Sequence, residues 1–355
     1  MRPSHISAIL DREFASAASL THTPVMLWGP PGVGKSRIVA QIAEAHRVPL
    51  VDIRLSQMEP TDLRGIPFRN GARVEWSVPA LLPEESRHGV RGILFLDEIT
   101  AAPPTVSAAA YQLILDRRLG EYHVPPGWAI FAAGNRYGDR AVTHVMPSPL
   151  ANRFTHYEIE PHLDDWVGWA QDSGIDERVI AFLRFRPDLL FELDPARNPV
   201  AFPSPRSWEY AHRALAKFGD APQLLLDALQ ACVGPAAGVE LKAYVDHMDE
   251  LPDVDAILEG RSDTVPRGID LQYGVAAALV RRAIDARDLP DAGRLFGNVL
   301  RYARCFPQRE MGVMLVTDLQ RSIGKPLFAV PEFAEWAGSI SDLVLYDLKL
   351  DLPSA

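Results

Sequence analysis

Gly29-Pro30-Pro31-Gly32-Val33-Gly34-Lys35-Ser36 reads G-x-x-x-x-G-K-S without a break. Pro24-Val25-Met26-Leu27-Trp28 enters it as a short apolar strand, and Arg37-Ile38-Val39-Ala40-Gln41-Ile42-Ala43 leaves it as a helix with apolar spacing. Strand, glycine-rich turn and helix in that order describe a phosphate loop. Glycine lets bare N–H groups close on phosphate oxygens, and the helix N-terminus adds partial positive charge. Lys35 is placed to reach the β and γ phosphates and Ser36 to hold Mg2+ through its hydroxyl. Gly29, Pro30, Pro31, Gly32, Val33, Gly34 and Arg37 complete the expected nucleotide contacts. The bland alternative is a glycine-rich turn ahead of an amphipathic helix, and a second motif 62 residues after Lys35 weakens it.

That motif, Ile93-Leu94-Phe95-Leu96-Asp97-Glu98, is an apolar run closing on two acids, as a buried parallel strand does when its C-terminal end faces a ligand. Asp97 is the expected Mg2+ ligand, directly or through water, and Glu98 the expected base that orients and deprotonates the attacking water. A solvated acidic turn is the other reading of this pair. Ala129-Ile130-Phe131-Ala132-Ala133 ends in Gly134-Asn135. On a central strand beside that of Asp97, the Asn135 amide is a candidate for placing water near the γ phosphate, although Asn after a strand also serves turns for conformational reasons alone. Arg153, in Pro149-Leu150-Ala151-Asn152-Arg153-Phe154, lies beyond the last helix and cannot easily fold back to its own phosphate. Its expected place is a neighbouring subunit's site, where a guanidinium stabilises the charge of phosphoryl transfer; a plain surface arginine is the alternative. Arg206, in Pro203-Ser204-Pro205-Arg206-Ser207-Trp208, is expected in the first turn of a helix and aimed at the nucleotide.

From about residue 20 to 160, apolar strand candidates at 25–28, 50–53, 92–96, 129–132 and 155–159 alternate with helical stretches, which predicts an α/β fold with a parallel sheet. Between the second and third lies Arg64 to Trp76, where Asn70-Gly71 flanked by alternating residues predicts a β-hairpin. It is either a sheet-edge hairpin or a device that moves against a client. Its Ile66, Phe68, Val74 and Trp76 read as one apolar set. After Pro161 the pattern is helical: 163–171, 177–184, 207–217 and 222–233, then a Pro-, Asp- and Gly-rich stretch, then 271–286, 292–305 and 310–322. The expected domains are 1–160 for the nucleotide with the hairpin insert at about 64–77, 161–250 for a helical lid, 251–268 for a linker, and 269–355 for an all-α segment ending in an acidic tail.

With 355 residues, 47% hydrophobic and 23% charged, the chain has the composition of a folded protein of more than one domain. No apolar stretch approaches the roughly 18 residues a membrane span needs, and the N-terminus lacks the apolar core of a signal peptide, so the expected location is the cytoplasm. Cys232 and Cys305 sit in apolar helical patterns and read as buried small hydrophobes. A net charge of −10 gives no global support for binding nucleic-acid phosphates.

Together the phosphate loop, Leu96-Asp97-Glu98, Gly134-Asn135, Asn152-Arg153-Phe154 and Ser204-Pro205-Arg206 resemble the Walker A, Walker B, sensor 1, arginine finger and sensor 2 of AAA+ ATPases. The hairpin resembles the helix 2 insert of the clade that holds MoxR ATPases, magnesium chelatase motor subunits, McrB-type GTPases and dynein. Within it, Glu59-Pro60-Thr61-Asp62-Leu63-Arg64-Gly65 and Trp76-Ser77-Val78-Pro79-Ala80-Leu81-Leu82 resemble the segment before Walker B of MoxR-like ATPases. The likeness spans residues 20 to about 245. It implies an αβα AAA+ sandwich with a helical lid, ATP and Mg2+ as cofactors, a homo-oligomer of hexameric type and a protein client. Val233-Gly234-Pro235-Ala236-Ala237-Gly238 with the later Leu-Pro-Asp stretch is similar to a bacterial MoxR-like subgroup, whose genes commonly neighbour one for a von Willebrand factor A or metallopeptidase-like partner. Two other classes stay open: a nucleic-acid motor or GTPase of the same clade, and a nucleotide-gated scaffold. The compact stretch Leu119 to Trp128 leaves open how far any pore-facing hairpin there projects.

Overall fold

In the computed structural model, residues 1–19, 21–136, 138, 144, 146–194 and 199–340 are described. The expected acidic tail lies outside them. The chain forms two compact units, the first over Met1–His162 and the second over Leu163–Leu193 and from Pro199 onward.

The strands of the first unit are β1 (Val25–Trp28), β2 (Leu50–Arg54), β3 (Pro67–Asn70), β4 (Arg73–Trp76), β5 (Arg91–Asp97), β6 (Arg118–Leu119), β7 (Tyr122–His123), β8 (Gly127–Gly134) and β9 (Thr155–Glu158). Five of them form one parallel sheet in the order β2-β5-β8-β1-β9. The inner strands β5 and β8 are buried almost end to end, which is why they read as unbroken apolar runs instead of alternating ones. One face packs Met26, Leu94, Leu96, Ile130 and Ala132 with Val106, Ala110 and Leu113 of the helix Pro104–Asp116. Helix Pro3–Ala17, absent from the elements expected above, buries Ile6, Leu10, Phe14 and Ala17 and packs on helix Lys35–His46 and β8. Its apolar positions recur every three or four residues, the spacing of a half-buried helix.

β3 and β4 pair antiparallel, as the hairpin reading expects. Asn70 opposes Arg73, so the turn residues are Gly71-Ala72 and not Asn70-Gly71; Gly71 takes a φ of 62°, the left-handed region glycine tolerates. The apolar set is also divided. Cross-strand partners share a face, so Val74 and Trp76 stand with Arg69 and Pro67, while Phe68 stands with Glu75 on the other. Ile66, Phe68, Val74 and Trp76 are all exposed. The β6-β7 pair is two residues per strand, so the segment before β8 is as compact as its length suggests.

The second unit is helical. One core gathers Trp166, Phe182, Trp208 and Tyr244, the other Val280, Phe296, Leu315 and Trp336. Helix Ile269–Asp285 feeds both, with Leu271 and Ala277 in the first and Val275, Leu279 and Ala283 in the second. The stretch 251–268, read as a linker from its Pro, Asp and Gly content, holds a helix, Val254–Leu258, whose start is capped by the Asp253 side chain and whose Ile257 and Leu258 are buried in the second core. Cys305 is exposed, against expectation; it follows the end of helix Ala292–Ala303, where the apolar spacing no longer points inward.

Candidate nucleotide-binding site

The order β5-β8-β1 sets three strand ends side by side: Trp28 of β1 opposes Gly134 of β8, and Leu96 of β5 opposes Ala132. The phosphate loop, the two acids and Asn135 therefore emerge at one edge, the C-terminal edge where parallel sheets bind ligands. Gly32 and Gly34 have φ of 82° and 98°, which only glycine adopts without strain, and helix Lys35–His46 starts directly after. At Gly29 an added Cβ would lie 2.9 Å from the Ile159 carbonyl oxygen, so a side chain there has no room.

The Lys35 ammonium donates to the carbonyls of Gly29 at 2.7 Å and Pro30 at 3.0 Å and to Oδ1 of Asn135 at 3.0 Å. Asn135 is held in turn by its own N–H, which donates to the buried Thr100 hydroxyl at 3.2 Å. Ser36 Oγ donates to Oδ2 of Asp97 at 2.7 Å, and the other oxygen, Oδ1, accepts the Glu98 N–H at 2.8 Å. Glu98 itself has left-handed backbone, φ 56° and ψ 32°, a conformation uncommon outside glycine. Its carboxylate accepts a hydrogen bond from the Ser56 hydroxyl. Asp52 on β2 is pushed above the usual carboxylate range, by desolvation first and then by the Asp97 carboxylate, with Glu98 adding and Arg54 opposing.

The residues named from sequence thus meet as expected for Lys35, Ser36, Asp97, Glu98 and Asn135. Pro31, Val33 and Arg37 lie on the loop and the first turn after it, with Val33 buried and Arg37 exposed at the helix start. Arg153 does not join them: it is exposed in the turn after helix Ser148–Ala151 and bonds to none of them. Arg206 is the second residue of helix Pro205–Phe218 in the second unit, and exposed. Ser56 and Thr100 were missed. Ser56 stands two residues past β2, the strand next to β5, and a hydroxyl at the end of the neighbouring strand was the available signal.

The hydroxyl of Ser36 beside the carboxylate of Asp97 is a pair of hard oxygen donors carrying negative charge. Such a pair suits Mg2+. The positive counterpart, Lys35 with the N–H groups of a helix start, suits phosphate.

Residues 24–154 match the AAA domain of the dynein-related subfamily. The chain is similar to Protein NorQ of Paracoccus denitrificans, 29% identical over 47% of this chain and 65% of that protein. It is similar to the denitrification regulatory protein NirQ of Stutzerimonas stutzeri, 27% identical over 44% of this chain and 60% of that one. Midasin of Giardia intestinalis is 32% identical over 39% of this chain but only 3% of its own length. The matched part thus spans less than two thirds of the bacterial relatives and a small piece of midasin. With the phosphate loop, acids and Asn135 disposed as above, residues 24–154 form an AAA domain of the dynein-related subfamily.

Proposed function

We propose that this chain is an ATPase that assembles as a homo-oligomeric ring, a hexamer, and couples ATP hydrolysis to remodelling, maturation or assembly of a protein client. The observation that carries the proposal is the convergence of Lys35, Ser36, Asp97, Glu98 and Asn135 at one sheet edge. Lys35 exchanges the carbonyls of Gly29 and Pro30 for the β and γ phosphates. Bound with the triphosphate, Mg2+ would be held through Ser36 and Asp97 and would neutralise phosphate charge. Glu98 orients and deprotonates the attacking water, and Asn135, braced by Thr100, fixes that water's position. Arg153, exposed in its turn, is suited to a neighbour's site, while Arg206 reads the nucleotide state for the helical lid. A scaffold without turnover has no use for this set of hydrolytic groups.

The split hairpin supports a protein client. Its apolar residues are exposed on two faces, among the described residues they have no core to join, and the hairpin is free to press on another chain. The partner is a von Willebrand factor A or metallopeptidase-like protein. Affinity capture with the Glu98→Gln form held in ATP tests the proposal. Recovery of a protein client in ATP and its loss in ADP supports it; hydrolysis stimulated by DNA, or a preference for GTP, replaces it with the nucleic-acid or GTPase reading. Replacing Phe68 to Val74 by a short Gly-Ser turn should leave assembly and basal hydrolysis intact and remove the response to client.

A further inference from the structure

Trp28 is the last residue of β1 and stands directly before Gly29, where the phosphate loop begins. Its indole Nε1 donates to Nδ1 of His156 at 2.9 Å. On the far side of the imidazole, Nε2 lies 2.7 Å from the carbonyl oxygen of Ala151. An indole N–H only donates and a carbonyl only accepts, so the two bonds together require a neutral ring with its proton on Nε2. β1 and β9 run side by side with Met26 opposite His156, which puts His156 and Trp28 on one face of the sheet. Their rings lie 21° from parallel with centroids 6.0 Å apart.

Ala151 ends helix Ser148–Ala151, and the chain then turns through Asn152 and Arg153 into β9. The same Ala151 carbonyl accepts the Phe154 N–H at 3.2 Å, so this oxygen closes the turn that carries Arg153. A bonded path therefore runs from the root of the phosphate loop, through one imidazole, to the base of the arginine's turn. His156 is exposed, so burial does not demand either of its bonds.

We propose that His156 is a positioning residue that ties the turn of Arg153 to the root of the chain's own phosphate loop, so that occupancy of one subunit sets how its arginine is offered to the next. It rests on the reading of Arg153 as acting in trans. Phosphoryl transfer is sensitive to such placement, since a displacement of about 1 Å in a charged group can cost up to about 10²-fold.

Steady-state ATP hydrolysis by the full chain tests it with three variants. His156→Phe keeps a ring and removes both bonds, His156→Gln offers one acceptor and one donor, and Trp28→Phe removes the indole donor alone. His156→Phe should lower kcat about tenfold with the KM for ATP and the melting temperature near wild type, and His156→Gln should recover much of that loss. Trp28→Phe should fall between them. In an Arg153→Ala background His156→Phe should add nothing. Mixed with Glu98→Gln chains, which still bind ATP, His156→Phe chains should regain turnover, because an intact base then meets a correctly offered arginine from an occupied neighbour. An unchanged kcat, an undiminished further loss in the Arg153→Ala background, or no recovery in mixtures where Arg153→Ala chains do recover, each overturns the assignment of His156. If Arg153→Ala alone turns over like wild type, the trans reading fails first and takes this role of His156 with it. Should His156→Phe not fold, Trp28→Phe carries the same comparisons.

Discussion

The two units bury charge in opposite ways. At the sheet edge of the first, Lys35 bonds to Asn135 and to the carbonyls of Gly29 and Pro30, Ser36 to Asp97, and Ser56 to Glu98, partners that a phosphate, a cation or water can replace. In the second, Asp318 is 3% exposed and accepts from Arg184 Nη2 at 2.6 Å on both oxygens, between helices Glu177–Phe185 and Arg309–Ile323. Burial still pushes Asp318 above the usual carboxylate range, with Arg184 and then Arg321 opposing. One region keeps its charges exchangeable; the other locks them, and a charge without an exchangeable partner can hold structure but not perform turnover.

The sharpest way to break that contrast is Glu98→Gln. Turnover should fall about 10²- to 10⁴-fold while ATP still binds, because only the proposed base is lost. Lys35→Ala should instead abolish nucleotide binding, read by equilibrium titration. A Gln form within threefold of wild-type turnover removes Glu98 from the chemistry.

Next in size is Asp318→Ala, expected to cost about 3–5 kcal/mol of stability by leaving Arg184 buried without a partner. Chemical denaturation measures it. Replacing both residues with apolar ones of similar volume should recover most of the loss, and a single variant that costs under about 1 kcal/mol would show the pair to be hydrated and not locked.

Ser56→Ala sits between the two regions in kind, since it removes a bond to the proposed base, Glu98. Freed from the Ser56 hydroxyl, Glu98 should turn to water more often, raising basal kcat about fivefold for a hydrogen bond of about 1 kcal/mol. A fall in kcat would mean that Ser56 aims the carboxylate instead of restraining it.

The smallest effect concerns His22, buried ahead of β1, whose Nε2 accepts the Ile130 N–H of β8 at 2.8 Å. Its pKa is lowered because burial outweighs the Glu13 carboxylate 3.4 Å away, with Arg117 adding to the lowering and the backbone at Ile130 opposing it. The folded state therefore favours the neutral ring. That contribution is complete above the unfolded pKa of about 6.5 and is lost as pH falls from there through the lower folded value. His22→Gln should flatten the decline of melting temperature between about pH 7 and 5. An equally steep decline assigns the acid sensitivity elsewhere.

What could be read from sequence follows the same division. Asp97 and Glu98 close an apolar strand, and Lys35 and Ser36 end a glycine-rich loop, so covalent neighbours carry the signal and the parallel order brings them together. Ser56 reaches Glu98 only through the pairing of β2 with β5, which no local pattern announces. Arg184 and Asp318 lie 134 positions apart and meet by helix packing alone. At the hairpin the turn dipeptide was visible, but its register moved by one residue, and the division of Val74 and Trp76 from Phe68 follows from that pairing. In 251–268, Pro and Gly suggested a linker, yet Asp253 caps a helix and Ile257 anchors it.

The left-handed backbone at Glu98 sets endurance against turnover. A non-glycine residue there carries a penalty of roughly 1–3 kcal/mol, and glycine or asparagine at the same place would carry less. The fold would thus gain heat resistance by discarding the group proposed as its base. In a lineage that had stopped hydrolysing nucleotide, drift toward those residues would meet no resistance and stability would favour it. Selection for endurance in a laboratory, applied without selection for turnover, should find position 98 among its early gains and deliver a sturdier protein that no longer works.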